Sequence, residues 1–239
     1  MISQYLGKNT GYAHTIFYIT CVLFTVLWVP TLSVVEFLAW FVGTHILVGY
    51  LISAFQHRYC SHRSWEPSRF VEVLSVFLCA AFVLIPSMGW VSVHKNHHRY
   101  TDTKKDPHGN AHSVWDNFMA FNVAPNKHGW PRWMFRDLLY LYQLKYYWEI
   151  AILFGALMFV IGLGGFWVGS IAAAYIFQVT LNIIGHPNRS PANRPWLALL
   201  LLYCGELYHK NHHDKPSLPR FGLIDTPYLL FIKFLDTKK

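Results

Sequence analysis

Four apolar runs, at 15–29, 34–55, 147–163 and 166–184, constrain this chain more than any other feature of its sequence. A helix needs about 20 mostly apolar residues to span the hydrocarbon of a bilayer, and somewhat fewer when flanking residues snorkel. Only 30–33 separates the first two runs, and only Gly164 and Gly165 the last two, so each pair is expected to form a helical hairpin. Composition agrees. The chain is 54% hydrophobic and 13% charged, against about one quarter charged in a typical soluble domain. Disorder is excluded too, since 18 Phe, 14 Tyr and 10 Trp cannot stay solvated with so few charges.

Two further apolar stretches, 70–93 and 196–203, need another criterion. The second is too short to cross. If the first does not cross, all 20 Lys and Arg fall on one side of the membrane and the hairpin tips carry none, which is the positive-inside pattern. Glu72 and Pro86 also speak against a span at 70–93. The expected architecture is an all-α integral membrane protein with a single domain over 1–239. It has a transmembrane hairpin at 15–55, a cytosolic cap at 56–146 with an interfacial helix at 70–93, a second hairpin at 147–185, and a cytosolic C-terminal segment at 186–239. The first run has no small-residue cleavage site and is expected to stay in the membrane. Cys21, Cys60, Cys79 and Cys204 form no C-x-x-C pair, so neither a disulfide framework nor a thiolate metal site is expected. The net charge of +8 suits an anionic membrane surface, an acidic substrate or an acidic protein partner, with nucleic acid not expected.

Fourteen His outnumber the 12 Asp and Glu together. HRYCSH carries His57 and His62, HKNHH carries His94, His97 and His98, and a second HKNHH carries His209, His212 and His213. An i, i+3, i+4 spacing turns three imidazoles onto one helical face, where they can converge on adjacent metal ions. His57 and His62, five apart, diverge by about 140° on an ideal helix. They therefore serve different ions unless the helix unwinds between them. His186 ends the fourth run at the membrane edge where His57 leaves the second, and Asn182, one turn earlier on the same face, can hold a water or bind directly. Nine imidazoles exceed what one ion can use, since zinc takes four ligands and a facial-triad iron three from protein, so two ions are implied. Imidazole suits iron, copper and zinc alike, which leaves the metal unnamed. A non-enzymatic metal carrier or transporter is the alternative of a different class. A transporter places polar ligands within its spans, where only Glu36, His45 and Asn182 are candidates.

The boxes resemble those of the membrane fatty acid desaturases, most closely the acyl-CoA or acyl-lipid delta-9 branch. The stretch His94 to Asn110 (HKNHHRYTDTKKDPHGN) is similar to that branch's H-x-x-H-H-x-x-T-D-x-x-x-D-P-H signature, GELYHKNHH to its third box, and HRYCSHRSW to its first. NIIGH with the later Asn193, Arg194 and Pro195 resembles its extra Asn and His element. The resemblance implies a di-iron centre held by the nine His, with Asn182 holding a water on one iron. It also implies conversion of an acyl chain, dioxygen and two electrons to a cis olefin and water. A hydroxylase or a decarboxylating oxygenase is the nearest alternative. Gly-Glu-Leu-Tyr in the third box, where the eukaryotic branch has Gly-Glu-Gly-Phe, leaves the substrate form open. Without a fused carrier domain, a separate electron donor is expected: a ferredoxin, a rubredoxin or a b-type cytochrome. A bacterial inner membrane, or the endoplasmic reticulum in a eukaryote, is the expected location.

Asp102, Asp106 and Glu206 are the expected acceptors for the outer N–H groups of metal-bound imidazoles, and His108 is expected to order the loop of the second box. Trp90, one turn before His94, is expected to wall the acyl channel. Trp28, Trp40, Trp148 and Trp167 suit an interfacial belt or lipid-facing role, and His45 a polar core residue bonded to a neighbouring helix. Arg58, Lys104, Lys105, Arg189, Arg194, Lys210 and Lys215 are candidates for contact with a phosphate-bearing head group or carrier.

Overall fold

In a computed structural model the chain is described at residues 8–82, 84–109, 113, 115, 117 and 131–238. Asn110, at the end of the second box's tail, and 118–130 of the expected cap lie outside them. The described residues build helices and no strand, with one isolated bridge between Asn193 and Tyr208. In order, the helices are α1 (Lys8–Trp28), α2 (Val34–Ser61), α3 (Arg69–Ala81), α4 (Ser87–Tyr100), α5 (Leu138–Lys145), α6 (Tyr147–Val160), α7 (Gly164–Ile184), α8 (Leu197–Leu202) and α9 (His209–Asp214). A short helical turn at 228–235 follows.

Three helices, His14–Thr31 within and just past α1, α2, and α7, are long and apolar enough to cross a membrane. The apolar α6 is shorter, at 14 residues. α7 is central, and α1, α2 and α6 all pack on it. α2 starts with a capping box in which Ser33 Oγ accepts from Glu36 N and Glu36 Oε2 accepts from Ser33 N. At about 1.5 Å per residue, its 28 residues reach roughly 40 Å, longer than the hydrocarbon is thick. The surplus is its last part, Gly49–Ser61, which is wound as a π-helix and almost wholly buried.

Three expectations change here. The single helix expected at 70–93 is two, α3 and α4, separated by a turn ending at Pro86, which has no N–H to continue a helix and instead precedes the first turn of α4. The turn of the second hairpin is 161–163, where Gly162 takes a left-handed φ of +78°. Gly164 and Gly165 already belong to α7. A Cβ on Gly165 would run into the Trp28 ring, and one on Gly164 into Phe159. Trp167 is not at a membrane edge but buried, its Nε1 donating to Ala81 O across the helix pair. His45 is bonded to a neighbouring helix as expected, to the backbone of Leu201 in α8, and its Nε2 stands 3.4 Å from Cys204 Sγ in the turn that follows.

Glu72 is buried because it is fully engaged. Tyr59 and Tyr140 hydroxyls each donate to its Oε1 at 2.7 Å, and Arg69 pairs with its Oε2 at 2.8 Å and with Asp137. A buried carboxylate without such partners costs several kcal/mol, so this knot fixes α3 and α5 against the π-helical end of α2. Gln143 adds a second tie, accepting from Ser87 N and donating to Val76 O. Gly155 of α6 admits the Trp167 ring where a Cβ would otherwise sit. Gly155→Leu is expected to overpack this contact, costing about 1–3 kcal/mol and lowering the melting temperature of the detergent-solubilised protein, as read by tryptophan fluorescence.

Candidate metal centre

The imidazoles of all three boxes meet in two groups. His57, His62, His94, His98 and His212 form one, and His97, His186, His209 and His213 the other; within each, one nitrogen per residue lies within 4.8 Å of all the others. Each HKNHH box is divided between them. His94 and His98, four apart, serve the first group while His97 serves the second. His209 and His213 serve the second while His212 serves the first. Helix geometry dictates this, since residues i and i+4 nearly eclipse and i+3 lies to one side.

His57 and His62 join the same group, correcting the expectation that they serve different ions. The π-helix closes its hydrogen bonds from i to i+5, which brings residues five apart onto one face. Their rings are 5.3 Å apart, and His57 Nε2 lies 2.9 Å from His212 Nε2. α2 thus widens rather than unwinds.

Three carboxylates set the rings. Asp106 accepts from His97 Nδ1 at 2.9 Å, Asp102 from His186 Nδ1 at 2.8 Å, and Glu206 Oε2 stands 2.8 Å from His57 Nδ1. The tail of the second box is folded to present them. Asp102 takes a positive φ, Asp106 Oδ2 accepts from Asp102 N and its Oδ1 from His108 N, and the His108 ring stacks 4.2 Å from His97. Asn193 and Asn211 exchange side-chain and backbone bonds, pinning the Asn-Arg-Pro loop to α9.

The donor set fits a cation. With His97 and His186 giving their Nδ1–H to carboxylates, both Nε2 atoms are lone pairs. His186 Nε2 lies 2.8 Å from His209 Nε2, His97 Nε2 3.3 Å from His213 Nε2, and His209 and His213 are 3.2 Å from each other. Neutral imidazoles cannot satisfy all three contacts, because His209 and His213 would both have to donate to their partners and then face each other N–H to N–H. Four lone pairs around one ion resolve the conflict. Burial also lowers the pKa of these rings, His94, His97, His209 and His212 well below the usual value and His98 to about 3, so they are neutral at physiological pH, the form a metal requires. Burial raises Asp106 to about 7; it would raise Glu206 too, but His57 and Arg58 hold that carboxyl down at about 2.

Between the groups lies a cavity of about 30 Å³ bounded by Trp90, Phe177, Gln178, Asn182, His57 and His209. Trp90 stacks 4.7 Å from His94 and donates its Nε1–H to Gln178 Oε1. Asn182 is buried, with Nδ2 unbonded. Phe177 also borders a larger cavity of about 240 Å³, lined by Trp40, Phe41, His45, Ile176 and Tyr203.

Among the basic residues expected at a head group, Arg58 is placed otherwise. It is wholly buried and paired with Glu206 and Asp225, leaving no surface for a ligand. Lys104, Lys105, Arg189, Lys210 and Lys215 are exposed and Arg194 is half-buried; Lys210 pairs with Asp214 at 2.6 Å. Asp225, Phe221 and Gln178 were not singled out in the sequence. Asp225 had one usable signal, as one of only 12 acids in a membrane chain.

Each group is expected to hold its own ion. His97→Ala should remove about half of the bound metal and His212→Ala the other half, as measured by elemental analysis of purified protein. Asp106→Asn, which leaves His97 in place, should weaken metal binding about 10- to 100-fold. In the metal-free protein, folded imidazoles titrate below the unfolded value of about 6.5, so the unfolded chain binds more protons. Stability is then level above about pH 7 and falls as the pH drops through about 6. With metal bound the folded rings take up no protons, so stability read from melting curves should fall at least as steeply over the same range.

A model of the fatty acid desaturase family matches residues 35–224. The chain is 27% identical over 200 residues to delta-9 desaturase-like 2 protein of Arabidopsis thaliana, covering 74% of this chain and 65% of that protein. It is 27% identical over 202 residues to an sn-1 stearoyl-lipid 9-desaturase of Synechocystis, covering 75% and 62%. To delta-9 acyl-lipid desaturase 1 of Arabidopsis thaliana it is 26% identical over 214 residues. The chain spans less than two thirds of the length of the first two. The matched region contains every histidine of both groups and all three carboxylates that orient them, and the chain belongs to the fatty acid desaturase family.

Proposed function

We propose that this protein is an oxygen-dependent desaturase that introduces a cis double bond, at the delta-9 position, into a saturated acyl chain carried on coenzyme A or a lipid. The observation that carries the reading is the pair of buried histidine groups, five and four imidazoles, flanking a cavity bounded by Trp90 and Phe177. No acid, base or nucleophile removes hydrogen from unactivated methylenes at a useful rate. Two iron ions, when bound, supply the dioxygen-derived oxidising power for that step. His57, His62, His94, His98 and His212 would hold one, and His97, His186, His209 and His213 the other, with Asn182 placed to hold a water on one of them.

The chain's own residues do the rest. Asp102, Asp106 and Glu206 keep His186, His97 and His57 aimed inward. Trp90, fixed by Gln178, walls the reacting methylenes against His94 and excludes water. The apolar end of the substrate occupies the larger cavity past Phe177, and its head group lies against Lys104, Lys105, Arg189 and Arg194. α1, α2, α6 and α7 cross the bilayer as two hairpins. The centre then lies at the cytosolic face of a bacterial inner membrane, or of the endoplasmic reticulum in a eukaryote. A separate ferredoxin, rubredoxin or b-type cytochrome delivers the two electrons there. The location of every Lys and Arg outside the hairpin tips supports that orientation.

Expression in a host of known lipid profile, followed by mass spectrometry with double-bond localisation, tests the reading. A new monounsaturated acid with its double bond at carbon 9 is expected. Hydroxylated or shortened products would mean a different oxygenase outcome at the same site, and exchangeable zinc without oxygen consumption would mean a metal carrier.

A further inference from the structure

Arg58 is buried without exposure in a membrane protein, a placement that costs several kcal/mol unless every charge is met. Its Nη2 donates to Glu206 Oε1 at 3.0 Å, and its Nη1 donates to Asp225 Oδ1 at 2.7 Å and to Pro219 O at 3.1 Å. The guanidinium also lies flat over the Phe221 ring, 3.9 Å from its centroid. Such a fork is available to Arg and not to Lys.

Each partner leads to an imidazole of the five-histidine group. Glu206, which also accepts from Ser53 Oγ, presents its other oxygen to His57 Nδ1. Asp225 accepts from Phe221 N at 2.7 Å through Oδ2 and from Tyr228 N at 3.1 Å through Oδ1. That fixes the loop so that the Phe221 ring lies 4.7 Å from His212 and 5.6 Å from His57. One guanidinium thus orients imidazoles from the first and third boxes. Among the described residues, the carboxylates bonded to the four-histidine group are Asp102 and Asp106, from the second box's own tail.

We infer that Arg58 and Asp225 are positioning residues of the metal centre, clamping the C-terminal segment onto the five-histidine group so that His57 and His212 are preorganised for their ion. Asp225 is the first residue beyond the family match, so the centre is completed by a segment that no box marks. The inference rests on the reading of the two groups as iron sites.

Purified full-length protein, loaded with ferrous iron and titrated with a chelator, tests it. Asp225→Asn and Arg58→Lys should release one of the two ions at a chelator concentration about 10- to 100-fold lower than wild type, while the second ion's release is unchanged. Asp236→Asn, whose carboxylate caps Glu66 N, is the control and should release both as wild type does. A general loss of structure would move both ions together, and selective loss of one is the signature of positioning. Should either variant fail to fold, Phe221→Leu, which keeps the backbone bond to Asp225 and removes the ring against His212, must show the same selective weakening. If folded Asp225→Asn, Arg58→Lys or Phe221→Leu retains both ions with wild-type affinity, the clamp is refuted and the desaturase reading stands. If wild-type protein binds no iron, the reading of the site fails instead.

Discussion

Hydrogen bonds and close pairing between carboxylates and the outer nitrogens of imidazoles are the interaction on which the rest of this structure depends. Nine neutral rings placed within a few ångströms of one another can adopt many tautomers, most of which point N–H groups inward. Asp106 on His97, Asp102 on His186 and Glu206 beside His57 select the arrangement in which lone pairs converge. The positive φ at Asp102, the turn made by Asp106 and the burial of Arg58 are costs that follow from holding those carboxylates in place.

A second constraint acts along α2. The helix is longer than a hydrocarbon slab, and its excess length lifts His57 and His62 into a core built by α3, α4 and α5. The outer surfaces of α1, α2 and α6 carry many exposed apolar side chains. The polar knots at Glu72, Gln143 and Arg58 are gathered on the side of the molecule that carries the boxes. The polar network around the boxes and the apolar packing of the long helices meet at Trp90 and Phe177, which border the cavity beside the histidines.

Much of this was legible because the signals are local. Apolar runs report helices through their length, the box spacing reports shared helical faces, and the acids stand out by lying beside the boxes, although only Asp106 serves a ring close to it in sequence. What escaped is what depends on contact between distant segments. The turn at Pro86 splits a run that hydropathy alone reads as continuous. Trp167 reads as a membrane-edge residue by type, but its indole finds a carbonyl on α3. Arg58 reads as a surface cation because neither Glu206 nor Asp225 is near it in sequence.

The sequence by itself determined the all-helical class, the membrane-spanning character of its long apolar helices and the identity of the nine convergent imidazoles, since each follows from residue type and short-range periodicity. Only the tertiary structure decided how those imidazoles divide into five and four, and that His57 and His62 share one group. The division depends on a π-helical widening of α2 and on the side from which α4 and α9 bring their rings to it, which no single segment fixes.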